Sequence, residues 1–195
     1  MVDRFSAAVA AIDAANAEDP NQIVVDGQAV AKELAHADVV ERWLLALQPD
    51  ADELQLLAAR AHHLRRWVVP RSEYPDGRAG YLRWRADHKR RQAAEAAQLL
   101  IAHGFEAEEV ERVATLIAKR GLGTDPQVQV HEDALCLAFL ELQFDAVAGQ
   151  LGDEHTVEVL RKTLVKMSPE AIELAGTIPV SAAGAALLGA ALAPR

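Results

Sequence analysis

The chain has 195 residues and a formal net charge of −9 at pH 7; 51% of its residues are hydrophobic, only 5% are aromatic, and it carries a single cysteine. Alanine and leucine must build most of the interior, which favours close helix packing over a sheet, and the lone Cys136 excludes an internal disulfide. No linker-like stretch divides the chain, so residues 1–195 are expected to form one compact, all-α multi-helix domain.

The start, MVDRFSAAVAAID, carries acids where a secretory signal needs a basic opening and an unbroken apolar run, so a cytoplasmic address is expected. The first helix is expected over residues 2–18, with Phe5, Val9, Ile12 and Ala15 at helical spacing. It ends in the breaker-rich EDPNQ. After the VVDG turn a second helix is expected over 28–47, and Asp50 with Glu53 resembles a capping box opening a third. That helix continues through Leu54, Leu57, Ala61 and Leu64 to Trp67, where Pro70 stops it. A fourth spans 80–103 and ends at Gly104, and a fifth covers 106–120. The sixth begins near Asp125 or Pro126 and is apolar around much of its circumference, which predicts a central buried helix. It also carries Glu132, Asp133, Glu141 and Asp145. Two further helices, one from Asp153 and one capped by Ser168-Pro169, precede an alanine-rich terminal helix over 180–193. That tail is too short and too small-sided to engage a membrane, and no membrane partner is expected.

The net charge conceals an asymmetry. Residues 60–91 hold 10 of the 20 lysines and arginines against Glu73, Asp76 and Asp87, so this segment is +7 and the remainder −16. Long polyanions are repelled by the whole while one place welcomes an anion, which suits a phosphorylated small molecule and disfavours RNA. Arg66, Arg71, Arg78, Arg83 and Arg85 offer guanidinium forks for phosphate, and Tyr81 and Trp84 offer rings for stacking. The plain alternative is a solvated face ion-paired to the acidic remainder. GLGT at 121–124 lacks the lysine and the length of a phosphate-cradling loop.

Two of the seven histidines sit on apolar stripes: His36 with Val40, Trp43 and Leu47, and His63 with Leu56, Ala59 and Trp67. His62 is expected to project elsewhere, beside Gln55 and Arg66. His88 shares a face with Tyr81, Trp84 and Glu95. Convergence of His36, His63 and His88, joined by Glu141, would provide a site for one divalent ion such as Mn, Fe or Zn, whereas separately each is a satisfied core histidine. Glu132 and Asp133 are candidates for metal ligands or a catalytic base, or are paired with arginines of the fourth helix or left at a solvated helix start.

The run HLRRWVVPRSEYPDGRAGYLRWR, with MVDRFSAAVAAIDAANAEDP before it and LRKTLVKMSPEAIELA after it, resembles an uncharacterised domain-of-unknown-function family of bacteria and fungi. Some members bear the label glutamyl-tRNA synthetase, yet no HIGH-type signature occurs, and KMSP at 166–169 departs from the KMSK type. More distantly the chain is similar to the helical HD-domain phosphohydrolases. That similarity implies an HD-like helical core in which His36 matches the first metal-binding histidine and His62-His63, in RAHHLRR, stands at the His-Asp pair. It further implies that His88 matches an auxiliary histidine and that Glu141, or Glu132-Asp133, replaces the last aspartate; the pair's aspartate is His63 here.

Two functions follow as expectations: a metal-dependent phosphohydrolase acting on a nucleotide or other small phosphorylated molecule, or a non-catalytic helical module binding a nucleotide, RNA or acidic partner through residues 60–91. A homodimer is compatible with either.

Overall fold

A computed structural model describes residues 3–25 and 27–193, and they form an all-α fold of ten helices with one short hairpin. The first helix, α1 (Arg4–Ala17), is capped by Asp3, whose carboxylate accepts from the Ser6 amide; the expected start at residue 2 lies outside the described residues.

The expected second helix begins later than its sequence suggests. Its first turn is instead the strand β2 (Gln28–Ala31), paired antiparallel with β1 (Gln22–Val25), so that Val25 faces Gln28 and Gln22 faces Ala31. The β-branched Ile23, Val24 and Val25 suit a strand, and Gly27 supplies a positive φ of 78° at the turn. The helix α2 (Lys32–Leu47) follows without a loop and buries Ala35, His36, Val39, Val40, Trp43 and Leu44.

The third helix is also shorter than expected. α3 (Glu53–Ala61) opens with a capping box made by Asp52 and Gln55, not Asp50 and Glu53, and stops at His62. Arg65 then takes a left-handed φ of 49°, which breaks the helix before short 3-10 turns at Arg66–Val68 and Arg71–Glu73. The reversal is held by the buried Asn16, whose Oδ1 accepts from the Arg65 amide and whose Nδ2 donates to the Arg60 carbonyl.

α4 (Gly77–Ala102) starts three residues before Gly80, and α5 (Ala107–Ala118) is closed by Lys119 in a left-handed conformation. α6 (Pro126–Leu142) is the central helix that its apolar circumference predicts: ten of its residues are buried. It does not reach Asp145. The chain breaks at Gln143 and resumes as α7 (Phe144–Leu151), so Glu141 and Asp145 lie on different helices. α8 (Asp153–Leu164), α9 (Pro169–Ala175) and α10 (Ala182–Leu192) complete the chain.

Two hydrophobic clusters result. One gathers α2, α6 and the C-terminal helices around Leu44, Leu137, Phe144 and Leu160, and the other gathers α1, α3, α4 and α5 around Ile12, Leu57, Leu100 and Leu116. Fully burying one such side chain stabilises by about 1.5–3 kcal/mol. Among the described residues no single helix is long and apolar enough to cross a membrane.

Candidate metal centre

Glu33 and His36 stand three residues apart on α2, one turn along the same face. The glutamate–two residues–histidine spacing is a device by which helical bundles present ligands. Opposite them, the end of α3 brings His63. The Glu33 Oε2 lies 3.0 Å from the His63 Nδ1, and the His36 and His63 rings stack at 4.0 Å between centroids. Each of the three residues can offer one ligand atom such that all lie within 4.8 Å of one another. At metal–ligand distances of about 2.1 Å, tetrahedral ligand atoms sit roughly 3.4 Å apart, so modest side-chain rotations would close the set on an ion.

The histidine cluster extends further. His62 is buried, not turned outward, and its Nδ1 lies 3.2 Å from the Nε2 of His131 on α6. Four imidazoles thus form a row from α2 to α6, with centroid separations of 4.0 Å (His36 to His63), 5.1 Å (His63 to His62) and 5.1 Å (His62 to His131). Burial, reinforced by Arg66 and Lys32, pushes His36 down to about 3; burial and Lys119 bring His131 down to about 3. Burial also holds His62 and His63 well below the ordinary imidazole value. All four are neutral at pH 7, the form that binds metals. Burial lifts Glu33 to about 7 against the opposing charge of Arg66. In the absence of an ion His63 is therefore neutral and Glu33 stands near the midpoint of its titration at pH 7. The His36 Nδ1 has no hydrogen-bond partner, and a small cavity lined by Ile23, Lys32, His36, Leu142 and Gln143 adjoins it.

The other expected residues are placed as follows. His88 does not join the histidine row, because its Nε2 donates to the Val69 carbonyl at 2.8 Å. Trp84 donates to the same oxygen at 3.0 Å, so both hold the chain after the 3-10 turn. Glu141 is engaged away from the triad by Arg42, at 2.5 Å, and by the Trp43 Nε1, at 2.7 Å. Glu132 is paired with Lys119 at 2.6 Å and faces Lys166 at 3.7 Å. Asp133 accepts from the Ser168 amide and the Gln129 side chain, a connection between α6 and the start of α9.

The basic segment divides. Arg66 lies over the Trp84 ring at 4.7 Å, close enough to Glu33 and the histidines to influence their charge. Arg71 is spent on the carbonyls of Tyr74 and Pro75. Arg78, Arg83 and Arg85 are exposed and form no ion pair among the described residues, with Tyr81 half-exposed beside Arg85.

Glu33 and His131 are not singled out by the sequence, and helical spacing turns His62 away from the interior although the distant similarity sets it at the His-Asp pair. The ELAH spacing on α2 carried the signal for Glu33, but His62 needed the bend after α3 and His131 the packing of α6.

The fold and site therefore define a helical protein with a buried carboxylate–imidazole cluster beside a cationic segment. A family model described as a domain of unknown function (DUF4202) matches residues 6–188, and the chain belongs to that family. Comparison with curated proteins and with solved structures gave no match.

Proposed function

We propose that this protein binds one divalent ion through Glu33, His36 and His63 and acts as a metal-dependent phosphohydrolase on a nucleotide or other small phosphorylated molecule. The observation that carries the reading is the convergence of those three ligand atoms within 4.8 Å, with neutral imidazoles and Arg66 alongside. A divalent ion such as Mn, Fe or Zn supplies a Lewis acid and brings the pKa of water towards neutrality. Arg66, oriented over Trp84, stabilises negative charge on the phosphoryl group, and Arg78, Arg83 and Arg85 attract the substrate from solvent.

The distant HD-domain similarity fits this reading in a modified form. On that similarity His36 and His63 would stand at the first histidine and the pair's aspartate, and the proximity of Glu33 to both supports it as the carboxylate in place of that aspartate. Elemental analysis of untagged protein loaded in turn with manganese, iron and zinc should find one equivalent of one of them. His36→Gln/His63→Gln should contain none and should lose phosphate release from a panel of nucleotides and sugar phosphates. Wild-type protein without stoichiometric metal would overturn the reading.

A second reading is favoured by burial: Glu33 and His36 are only 5% and 4% exposed. The cluster is then a structural core, and the exposed arginines with Tyr81 bind a nucleotide, RNA or an acidic partner without turnover. Ligand-induced stabilisation of the His36→Gln/His63→Gln protein, with no turnover by wild type, would select it.

A further inference from the structure

Beyond the far end of the histidine row, cations outnumber anions. Glu132 of α6 is buried at 4% exposure, and its carboxylate meets Lys119 at 2.6 Å and Lys166 at 3.7 Å. Lys119 comes from the end of α5 with a left-handed φ of 55°, a conformation that costs a residue other than glycine about 1 kcal/mol or more, and its side chain is 13% exposed. Lys166 reaches in from the connection between α8 and α9, and its side chain is 42% exposed. The third side of the cluster is α4. There Arg85, Lys89 and Gln92 share one helical face, and the buried Gln92 amide lies 3.0 Å from the His62 carbonyl. Burial together with Lys119, Arg85 and Lys166 pushes the Lys89 ammonium down, while Glu132 holds it up. Lys119 and Lys166 thus both face the Glu132 carboxylate, Lys89 lies near enough to feel all three charges, and Arg85 stands one turn before Lys89; beside Glu132 the other acid of this neighbourhood is Asp133, which is engaged by the Ser168 amide and Gln129.

We propose that Lys89, Lys119 and Lys166, with Arg85 at the rim, form an oxyanion site that takes the phosphate group of a phosphorylated ligand. It deepens the phosphohydrolase reading by naming what holds the substrate's anion, and it does not require the metal. A phosphate entering from the Lys166 side completes the charge balance that Glu132 leaves unfinished, and amines on separate elements can each donate to a different phosphate oxygen. The Lys119 charge helps hold both His62 and His131 down, which couples this site to the row that ends at Glu33. Glu132 is then an internal competitor of the ligand and holds the lysines in place when no ligand is bound.

The test is equilibrium dialysis of inorganic pyrophosphate against the full chain in EDTA at fixed ionic strength, with metal content after reloading measured in parallel. Lys166→Gln should weaken binding about fivefold or more, and Glu132→Gln should tighten it by a similar factor, because a competing charge is gone. Lys119→Gln alone leaves Glu132 buried and unpaired, so it is made together with Glu132→Gln; the double variant should bind more weakly than Glu132→Gln. Arg120→Gln, an exposed charge paired with Glu111, serves as the control for general electrostatics. No pyrophosphate binding, or equal affinity in wild type, Lys166→Gln and Glu132→Gln, would overturn the proposal. Pyrophosphate binding with this pattern in protein that never takes up metal would overturn the metal reading and leave the oxyanion site standing.

Discussion

The imidazoles of His36 and His63 lie face to face, 4.0 Å between centroids and 20° from parallel, although 26 positions separate them in the chain. Helix α2 presents one and the bend after α3 presents the other. Stacked imidazoles cannot both be charged in a buried site without severe repulsion, so the pair requires neutrality or a metal ion.

Acid should unfold the metal-free protein sharply. The four buried histidines titrate below their unfolded value of 6.5, His36 and His131 at about 3. Unfolding therefore takes up protons, and the stability this confers is fully present above pH 6.5 and is lost as pH falls from there towards 3. Glu33, raised from 4.5 to about 7, works in the opposite sense by holding a proton in the folded state between those values. Each net proton is worth about 1.4 kcal/mol per pH unit, so His36 and His131 set against Glu33 give roughly one net proton and a loss of about 1.4 kcal/mol per unit near pH 5, to which His62 and His63 add in the same direction. Urea midpoints of EDTA-treated protein at pH 7.5, 6 and 5 should fall steeply, and an unchanged midpoint down to pH 5 would contradict the buried neutral row.

Metal affinity should depend on pH with the sign of a single acid. Because Glu33 titrates at about 7 in the metal-free protein while its histidine partners are already neutral, binding below pH 7 displaces one proton. Apparent affinity should fall about tenfold per unit below pH 7 and flatten above it. Competition with a chromophoric chelator between pH 6 and 8 measures this. Glu33→Gln should bind more weakly, lose that slope, and as metal-free protein be more stable than wild type above pH 7, where wild type must bury a charge.

Arg60 joins three helices. Its guanidinium reaches Asp13 of α1 at 2.6 Å, and Asp38 and Glu41 of α2 at 2.9 and 2.7 Å, while its own side chain is 9% exposed. Arg60→Met should cost about 2–4 kcal/mol, less than for a fully buried network because the acids retain water. Asp38→Asn, at a carboxylate 60% exposed, should cost under about 1 kcal/mol. Equal effects of the two changes in urea unfolding would show that the arginine is not the centre of this junction.

Gly80 is sterically required where α4 meets the loop before it. A methyl group there would stand 1.9 Å from the Pro75 carbonyl oxygen, a backbone atom that cannot rotate away. Gly80→Ala should destabilise by about 2 kcal/mol or more and release the Tyr74–Asp87 hydrogen bond, seen as altered tyrosine fluorescence. A thermal midpoint within a degree of wild type would mean that the loop shifts freely.

Local chemistry made most of the helices legible. Asp125-Pro126 and Ser168-Pro169 announce α6 and α9, and the apolar circumference of α6 announces its burial, because caps and periodicity act over a few residues. The same periodicity put His36 and His63 on inward stripes. It carried the third helix too far, since nothing local signals that Arg65 turns left-handed once Asn16 of a distant helix binds its amide. The hairpin is equally illegible, its second strand at 28–31 falling inside the expected second helix and its first at 22–25 inside the breaker and turn region, because four-residue strands are too short for alternation to register.

By itself the sequence determined the helical class, the inward stripes bearing His36 and His63, and the cationic segment at 60–91, all consequences of composition and short-range spacing. Only the tertiary structure decided that Glu33 and not His88 joins those histidines, that His62 turns in to meet His131, and that Glu132 is surrounded by lysines. Those relationships depend on how α2, α3 and α6 pack and where the chain bends between them, and packing between distant segments leaves no periodicity in the residues that it brings together.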